Sequence, residues 1–359
     1  MDKKSKTKAV IMAAGKGERM QPLSFDKQKH VLRVLGKSVL EHTLDQLDGL
    51  IDEAIIVIRK SKSCNAIKEL LGKQYKTVKI SYVYQKNLLG TGDAIKAALP
   101  LLDDKVLLMN GDDLYVKEDI KKMLSKFPGL LAKKVKQPQF FGIIETKEDL
   151  ITSLVEKPKN PKSDLANTGM YHLPTSIFTS KILKTERGEY EVTDFVKKLI
   201  EEGDFYYVQA TQWIPVSYPW SLLDANKELM EEKYYVGKDC EINCKLGDYT
   251  SVGDNTVIND SKISNSIIGK NCVINNCTIK NSIIGDYCRI EGPCDIRTTN
   301  GSTVFTEVKG KMIDTKRKGF GVVMGDKSSL NPDCIIYPGV KIWPKKVVKK
   351  GQIVKKDIK

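Results

Sequence analysis

The 359-residue sequence has no apolar run of about 18 residues, so a membrane span is not expected. It has no C-x-x-C pair, and nothing about its eight cysteines points to a disulfide framework; reduced thiols are the expectation. No secretory leader is expected either. The basic start, MDKKSKTK, leads into only about six apolar residues without a signal-type cleavage site, which suits a first buried strand. A soluble cytoplasmic protein is therefore expected. Nucleic-acid motifs are absent as well. The net charge is +14, but lysines and acids are interspersed, and only the stretch KKVVKKGQIVKKDIK is a basic run. That pattern predicts a lysine-rich solvated surface and small anionic substrates, with no nucleic-acid or membrane partner.

What the chain does have is enough length for two domains, and a composition, 41% hydrophobic and 29% charged, that is globular rather than disordered. Up to about residue 235, strand and helix patterns alternate. Thr7–Ala14 reads as a buried strand, Ser38–Leu47 as a helix, Ala54–Ile58 as a strand and Asn65–Leu71 as a short helix. Lys79–Tyr84 is a strand, Gly92–Leu99 a helix and Val106–Met109 a buried strand. Alternation of this kind predicts an α/β fold, doubly wound and mostly parallel, with its ligand outside the carboxyl ends of the strands. The segments that follow those ends are AAGKGERM, YQKNLLGTGD and NGDD.

Beyond residue 235 the pattern changes. Aliphatic residues recur at Leu246, Val252, Ile258, Ile263, Ile268, Ile274, Ile279, Ile284, Ile290 and Ile296, in steps of six or five. With many Gly, Asn and Asp between them, this is the period of a hexapeptide β-helix, in which neighbouring coils bury one another's aliphatics. The expected domains are residues 1–235 and 236–359. Cys272, Cys288, Cys294 and Cys334 each stand four residues after an aliphatic anchor, a slot that Thr250 and Thr256 share. They read as small interior residues rather than metal ligands.

In AAGKGERM, glycines let backbone N–H groups approach phosphate oxygens, Arg19 offers a bidentate fork and Lys29 a point charge. Taken alone the segment is also consistent with a tight turn bearing surface cations. NGDD puts a carboxylate after a buried strand, either as a Mg²⁺ ligand shared with substrate phosphates or as a strand-ending turn. VEKP (155–158) and NTGMY (167–171) are further polar turns.

Together with GKSVLEH, QKNLLGTGDAI, FGII, GEYEVTD and PWSLLDANKEL, these motifs stand in an order that resembles the sugar-1-phosphate nucleotidylyltransferases. The nearest likeness is to archaeal-type bifunctional nucleotidylyltransferase/acetyltransferases of the N-acetylglucosamine-1-phosphate uridylyltransferase group, in which a left-handed β-helix follows the catalytic domain. The resemblance implies that Ala13, Ala14, Gly15 and Gly17 hold the nucleotide and Arg19 its phosphates. Lys29 neutralises charge at the α-phosphate, Gln85 reads a uracil or thymine edge, and Gly90 and Thr91 pack beside the base. Asp112 is a Mg²⁺ ligand, and Gly142, Glu156, Lys157 and Asn167 contact the sugar phosphate. The implied reaction joins UTP or dTTP to a sugar 1-phosphate, with Mg²⁺ as cofactor and a homo-oligomer, a trimer through the β-helix, as the assembly. Attack by a phosphate that is already anionic needs no general base, so three histidines (His30, His42 and His172) are no obstacle.

The chain departs from that family in three places. Lys29 is flanked by Gln28 and His30 where the family commonly reads P-K-P or P-K-V, and Lys27 is a second candidate for its role. The position of a second metal ligand falls on Pro215, with Asp224 nearby as an expected surface residue. No histidine lies beyond His172, whereas the family's acetyl transfer uses a β-helix histidine as base. Loss of acetyl transfer is therefore expected. The alternatives are residual acetyl-CoA-dependent transfer, or a silent subunit that binds a nucleotide-sugar and regulates a partner.

Overall fold

The computed structural model describes residues 7–186, 188–299 and 301–359. The chain divides into two compact units, but not in chain order. One comprises the residues up to Gly15 together with Leu40–Pro215; the other comprises Lys16–Val39 and Val216–Lys359. The sequence boundary at 235/236 follows the change of repeat, whereas compactness assigns the segment after the first strand to the C-terminal unit.

The first unit is built on a ten-stranded sheet. Its parallel half sets strand Lys8–Met12 between Lys105–Asn110 and Glu53–Arg59, with Val78–Gln85 next. Ile55, Ile56, Val57, Leu107 and Leu108 are wholly buried, which is why these strands read as unbroken apolar runs. Helices Val39–Leu47, Lys62–Leu71 and Thr91–Ala98 lie close to the spans read from their periodicity. Past Lys105–Asn110 the strands run both ways: Leu165–Pro174 pairs antiparallel with Lys105–Asn110 and with Gly129–Lys134. The hairpin Gly142–Lys147/Leu150–Glu156 completes that side. No helix among the described residues is long and apolar enough to cross a membrane.

The second unit is a parallel β-helix with three faces. One face stacks Tyr234–Val236, Thr250–Val252, Ile267–Ile268, Ile283–Ile284, Val323–Met324 and Lys341–Ile342. Two more faces form a second sheet, continuous where strand Val257–Ser264 rounds a corner. Ile258, Ile274 and Ile290 lie in register, one coil apart, so an early coil takes sixteen residues. Ile335 pairs with Ile353, so a late coil takes eighteen. The mixed steps of five and six in the sequence are these short coils. All ten predicted anchors are buried. Asn255, Asn271, Asn276 and Asn281 hold left-handed backbone conformations at the corners, which asparagine tolerates better than most residues.

Cys272, Cys277, Cys288, Cys294 and Cys334 are buried inside the β-helix. Cys272 donates to the Gly285 carbonyl of the next coil at 3.2 Å, and Cys288 to that of Gly325 at 3.3 Å. The hydrogen bond with Cys288, together with burial, pushes the Cys272 thiol up and keeps it neutral. Between two coils the chain leaves the helix as an antiparallel hairpin, Thr303–Val308 with Lys311–Lys318. Its Val304, Thr306 and Val308 are buried while Phe305 is exposed. Thr306 donates to the Gly339 carbonyl at 2.7 Å, fastening the hairpin to the coil. Because neighbouring coils share the anchors, Ile274→Ala should cost about 2–5 kcal/mol, read as a lower urea midpoint for the β-helix transition.

Candidate active site

The first unit gathers its predicted site residues along one edge of the sheet. Strand Lys8–Met12 ends beside Asn110, the Ala13 N–H donates to the Val57 carbonyl at 2.8 Å, and the Gly111 N–H to the Met12 carbonyl at 3.0 Å. The Ala13–Gly15 turn and the Gly111–Asp112 turn therefore leave neighbouring strands at the same edge. Asp112 is half-buried there. Asp113 is buried and accepts from the Asn110 amide at 3.1 Å.

Gln85 ends the parallel strand at the same edge and is buried. Its amide nitrogen donates to the Gly90 carbonyl at 3.0 Å and to the Asp93 carboxylate at 2.8 Å. Both partners are pure acceptors, so the orientation of the amide is fixed: both hydrogens are engaged, and the oxygen is the group presented elsewhere. Gly90 has φ 92°, and a Cβ there would lie 2.5 Å from the Tyr190 carbonyl oxygen. Thr91 donates to Glu191 at 2.8 Å and accepts the Val192 N–H at 2.9 Å. The GEYEVTD segment is thus the backing of the LLGTGD loop. Asp93, Tyr190 and Glu191 were not singled out from the sequence; for Tyr190 and Glu191, contacts about 100 residues apart leave no local spacing to read. Gly90→Ala should displace this loop and weaken nucleotide binding about tenfold or more, measurable by calorimetric titration.

A third group lies at the antiparallel side. Gly142 pairs in register with Glu156, and a Cβ on Gly142 would meet the Glu156 carboxylate at 2.9 Å and the Asn167 Cβ at 3.7 Å. Glu156 and Lys157 are exposed and paired at 3.1 Å. Asn167 donates to the Tyr171 hydroxyl at 2.7 Å and accepts the Gly169 N–H at 3.0 Å, which fixes its amide. The four predicted sugar-phosphate residues thus stand together.

Gly17, Arg19 and Lys29 belong to the second unit. Gly17 has φ 68°, and a Cβ on it would lie 3.2 Å from the Lys29 Cβ, so the two residues pack side by side. Ser24 donates to the Gly17 carbonyl at 2.7 Å. Arg19 is exposed, with its guanidinium 5.4 Å from the centre of the Tyr218 ring. Lys29 starts a 3₁₀ turn, Lys29–Val31, and is only half-buried, whereas Gln28 and His30 on either side are fully buried. Burial of both neighbours fixes the flank that proline would otherwise stiffen.

Lys27 is the second candidate for the role expected of Lys29, and it is engaged within its own unit. Its ammonium is held by Asp286 at 3.0 Å and Asp326 at 2.8 Å. Pro215 ends a short strand opposite Asp113 and supplies no donor atom. Asp224 is half-exposed and pairs with Arg317. Among the described residues no three His, Cys, Asp or Glu side chains cluster as a metal site. Asp112 is the carboxylate that would hold a Mg²⁺, a cation that commonly keeps substrate oxygens and water as its other ligands. His172 is buried, and burial lowers its pKa, so it stays neutral inside the core.

Residues 8–232 match the family model for nucleotidyl transferases, and residues 254–357 match that for the GLGC left-handed parallel beta-helix domain. The Bifunctional protein GlmU of Methanocaldococcus jannaschii is 30% identical, over 98% of this chain and 95% of its own. A bifunctional sugar-1-phosphate nucleotidylyltransferase/acetyltransferase of Sulfurisphaera tokodaii is 27% identical, over 98% of both chains. A solved structure from Bacillus anthracis, described as a candidate glucose-1-phosphate thymidylyltransferase in complex with sucrose, superposes with a TM-score of 0.58. It shares 24% identity and covers 63% of this chain and 96% of that one, a likeness that speaks for the fold.

Proposed function

This chain belongs to the nucleotidyl transferase family, and from that premise we propose that it transfers UMP or dTMP from the nucleoside triphosphate to a sugar 1-phosphate. The observation that carries the choice of base is Gln85. With both amide hydrogens engaged by Gly90 and Asp93, it offers a base only an acceptor. Uracil and thymine present a ring N–H to such an acceptor, whereas cytosine and adenine can reach it only through an exocyclic amino group. Guanine also has a ring N–H, so GTP is the informative competitor.

In the reaction a phosphate oxygen of the sugar 1-phosphate attacks the α-phosphorus. A new P–O bond forms, the bond from Pα to the bridging oxygen breaks, and pyrophosphate leaves with that electron pair. The nucleophile is already anionic, so the protein's work is positioning and charge neutralisation. The backbone of Ala13, Ala14, Gly15 and Gly17 is assigned the nucleotide, Gly90 and Thr91 its base, and Arg19 its phosphates. Lys29 is assigned the charge that develops at the α-phosphate. Gly142, Glu156, Lys157 and Asn167 are assigned the sugar phosphate. Asp112 would hold Mg²⁺, which when bound neutralises phosphate charge.

Incubation with Mg²⁺, each nucleoside triphosphate and a panel of sugar 1-phosphates should release pyrophosphate with UTP or dTTP. Release with none would overturn the reading, and tight nucleotide-sugar binding without release would favour a regulatory subunit. Acetyl transfer is absent in this reading because no histidine lies beyond His172 to serve as base. No thiol release from acetyl-CoA with an amino-sugar phosphate is the expected result. Assembly through the β-helix predicts the mass of a trimer in light scattering.

A further inference from the structure

The segment 16–39 leaves the first strand carrying Gly17, Arg19 and Lys29, yet it packs with the β-helix. One of its tethers is Lys27. The side chain is about one-fifth exposed, and its ammonium lies between two carboxylates of successive coils: 3.0 Å from Asp286 Oδ2, 2.8 Å from Asp326 Oδ2 and 3.1 Å from Asp326 Oδ1. These two aspartates hold equivalent places in the stack, since Ile283 is in register with Val323. Backbone donors set both of them: the Lys270 N–H donates to Asp286 Oδ1 at 3.1 Å, and the Asp286 N–H to Asp326 Oδ1 at 3.0 Å. The coil thus presents two fixed carboxylates side by side, a pair that repels itself unless a cation sits between them. Burial acts to lower the pKa of Lys27, but Asp286 and then Asp326 outweigh it and hold it above the ordinary lysine value.

We propose that Lys27 is a positioning residue: clamped by Asp286 and Asp326, it fixes the loop on which Arg19 and Lys29 act, so the β-helix is a working part of the nucleotidyl transfer reaction. Lys29 is two residues from the clamp and packs on Gly17, so slack at Lys27 reaches both phosphate-directed groups through a short, folded segment. Misplacing a charge of this kind by about 1 Å is enough to cost a large factor in rate. This inference rests on the nucleotidyl-transfer reading for its kinetic consequence but not for its structural one.

The test uses the full chain and four variants: Lys27→Met, the double Asp286→Asn/Asp326→Asn, these two combined, and Lys27→Arg. Lys27→Met and the double variant should each lower kcat about 10- to 100-fold, and combining them should add little, because both break one device. Lys27→Arg should restore most of the rate. Amide hydrogen exchange should accelerate over residues 17–31 in both damaging variants while Val273–Asn275 keeps its protection. Wild-type kcat in Lys27→Met, or unchanged exchange over 17–31, would overturn the clamp. If the unaltered protein releases no pyrophosphate with any substrate pair, the activity reading fails, and the exchange measurement still decides the clamp.

Discussion

Lys29→Ala is expected to lower kcat/KM about 100- to 1,000-fold, the usual consequence of removing one preset electrostatic partner of a transition state. The reason is positional. Lys29 stands half-buried between fully buried Gln28 and His30. Its Cβ lies against Gly17, in the glycine turn assigned to the nucleotide. Lys27→Ala should lose less, because Lys27 acts through the loop. Steady-state kinetics on the two variants in parallel give the ratio, and equal losses would refute the assignment of roles.

Asp112→Asn is expected to be comparably severe, with kcat falling about 100-fold or more and the Mg²⁺ concentration needed for half-maximal rate rising. In the proposed site, with proline at position 215, Asp112 would be the carboxylate that the protein offers the cation. An amide in its place leaves the cation to phosphate oxygens and water alone. Titrating Mg²⁺ at saturating substrates separates this from damage to nucleotide binding. A variant with unchanged Mg²⁺ dependence would remove Asp112 from the role. Because Asp113 is buried and hydrogen-bonded to Asn110, it should not take over from its neighbour.

Local periodicity made much of this architecture legible. The buried strands through Val10, Ile56 and Leu107 announce themselves as apolar runs, and the β-helix as aliphatics five or six residues apart. The hairpin Thr303–Lys318 was not legible as a hairpin. It lies inside a repeat region, and its alternation of Val304, Thr306 and Val308 reads equally as another coil. At the site, residues that follow strand ends were visible because the fold puts ligands there. Asp93 and Glu191 were not, because they act on other site residues. The bond from Lys27 to Asp286 crosses 259 positions, and nothing in either neighbourhood advertises the other. The G-D dipeptides in IIGD and VMGD look like routine corner residues until the third member of the cluster is seen.

The membership of residues 16–39 in the C-terminal unit bears on how such a chain can be recombined. A gene junction drawn where the repeat changes, near residue 235, looks like a natural seam between modules. A chimera made there with a foreign β-helix would inherit Lys27 without Asp286 and Asp326, and Glu18 without Lys309, which now pairs with it. Exchange of the C-terminal half therefore has to carry residues 16–39 along with it. The unit that such an exchange has to respect is discontinuous in the chain.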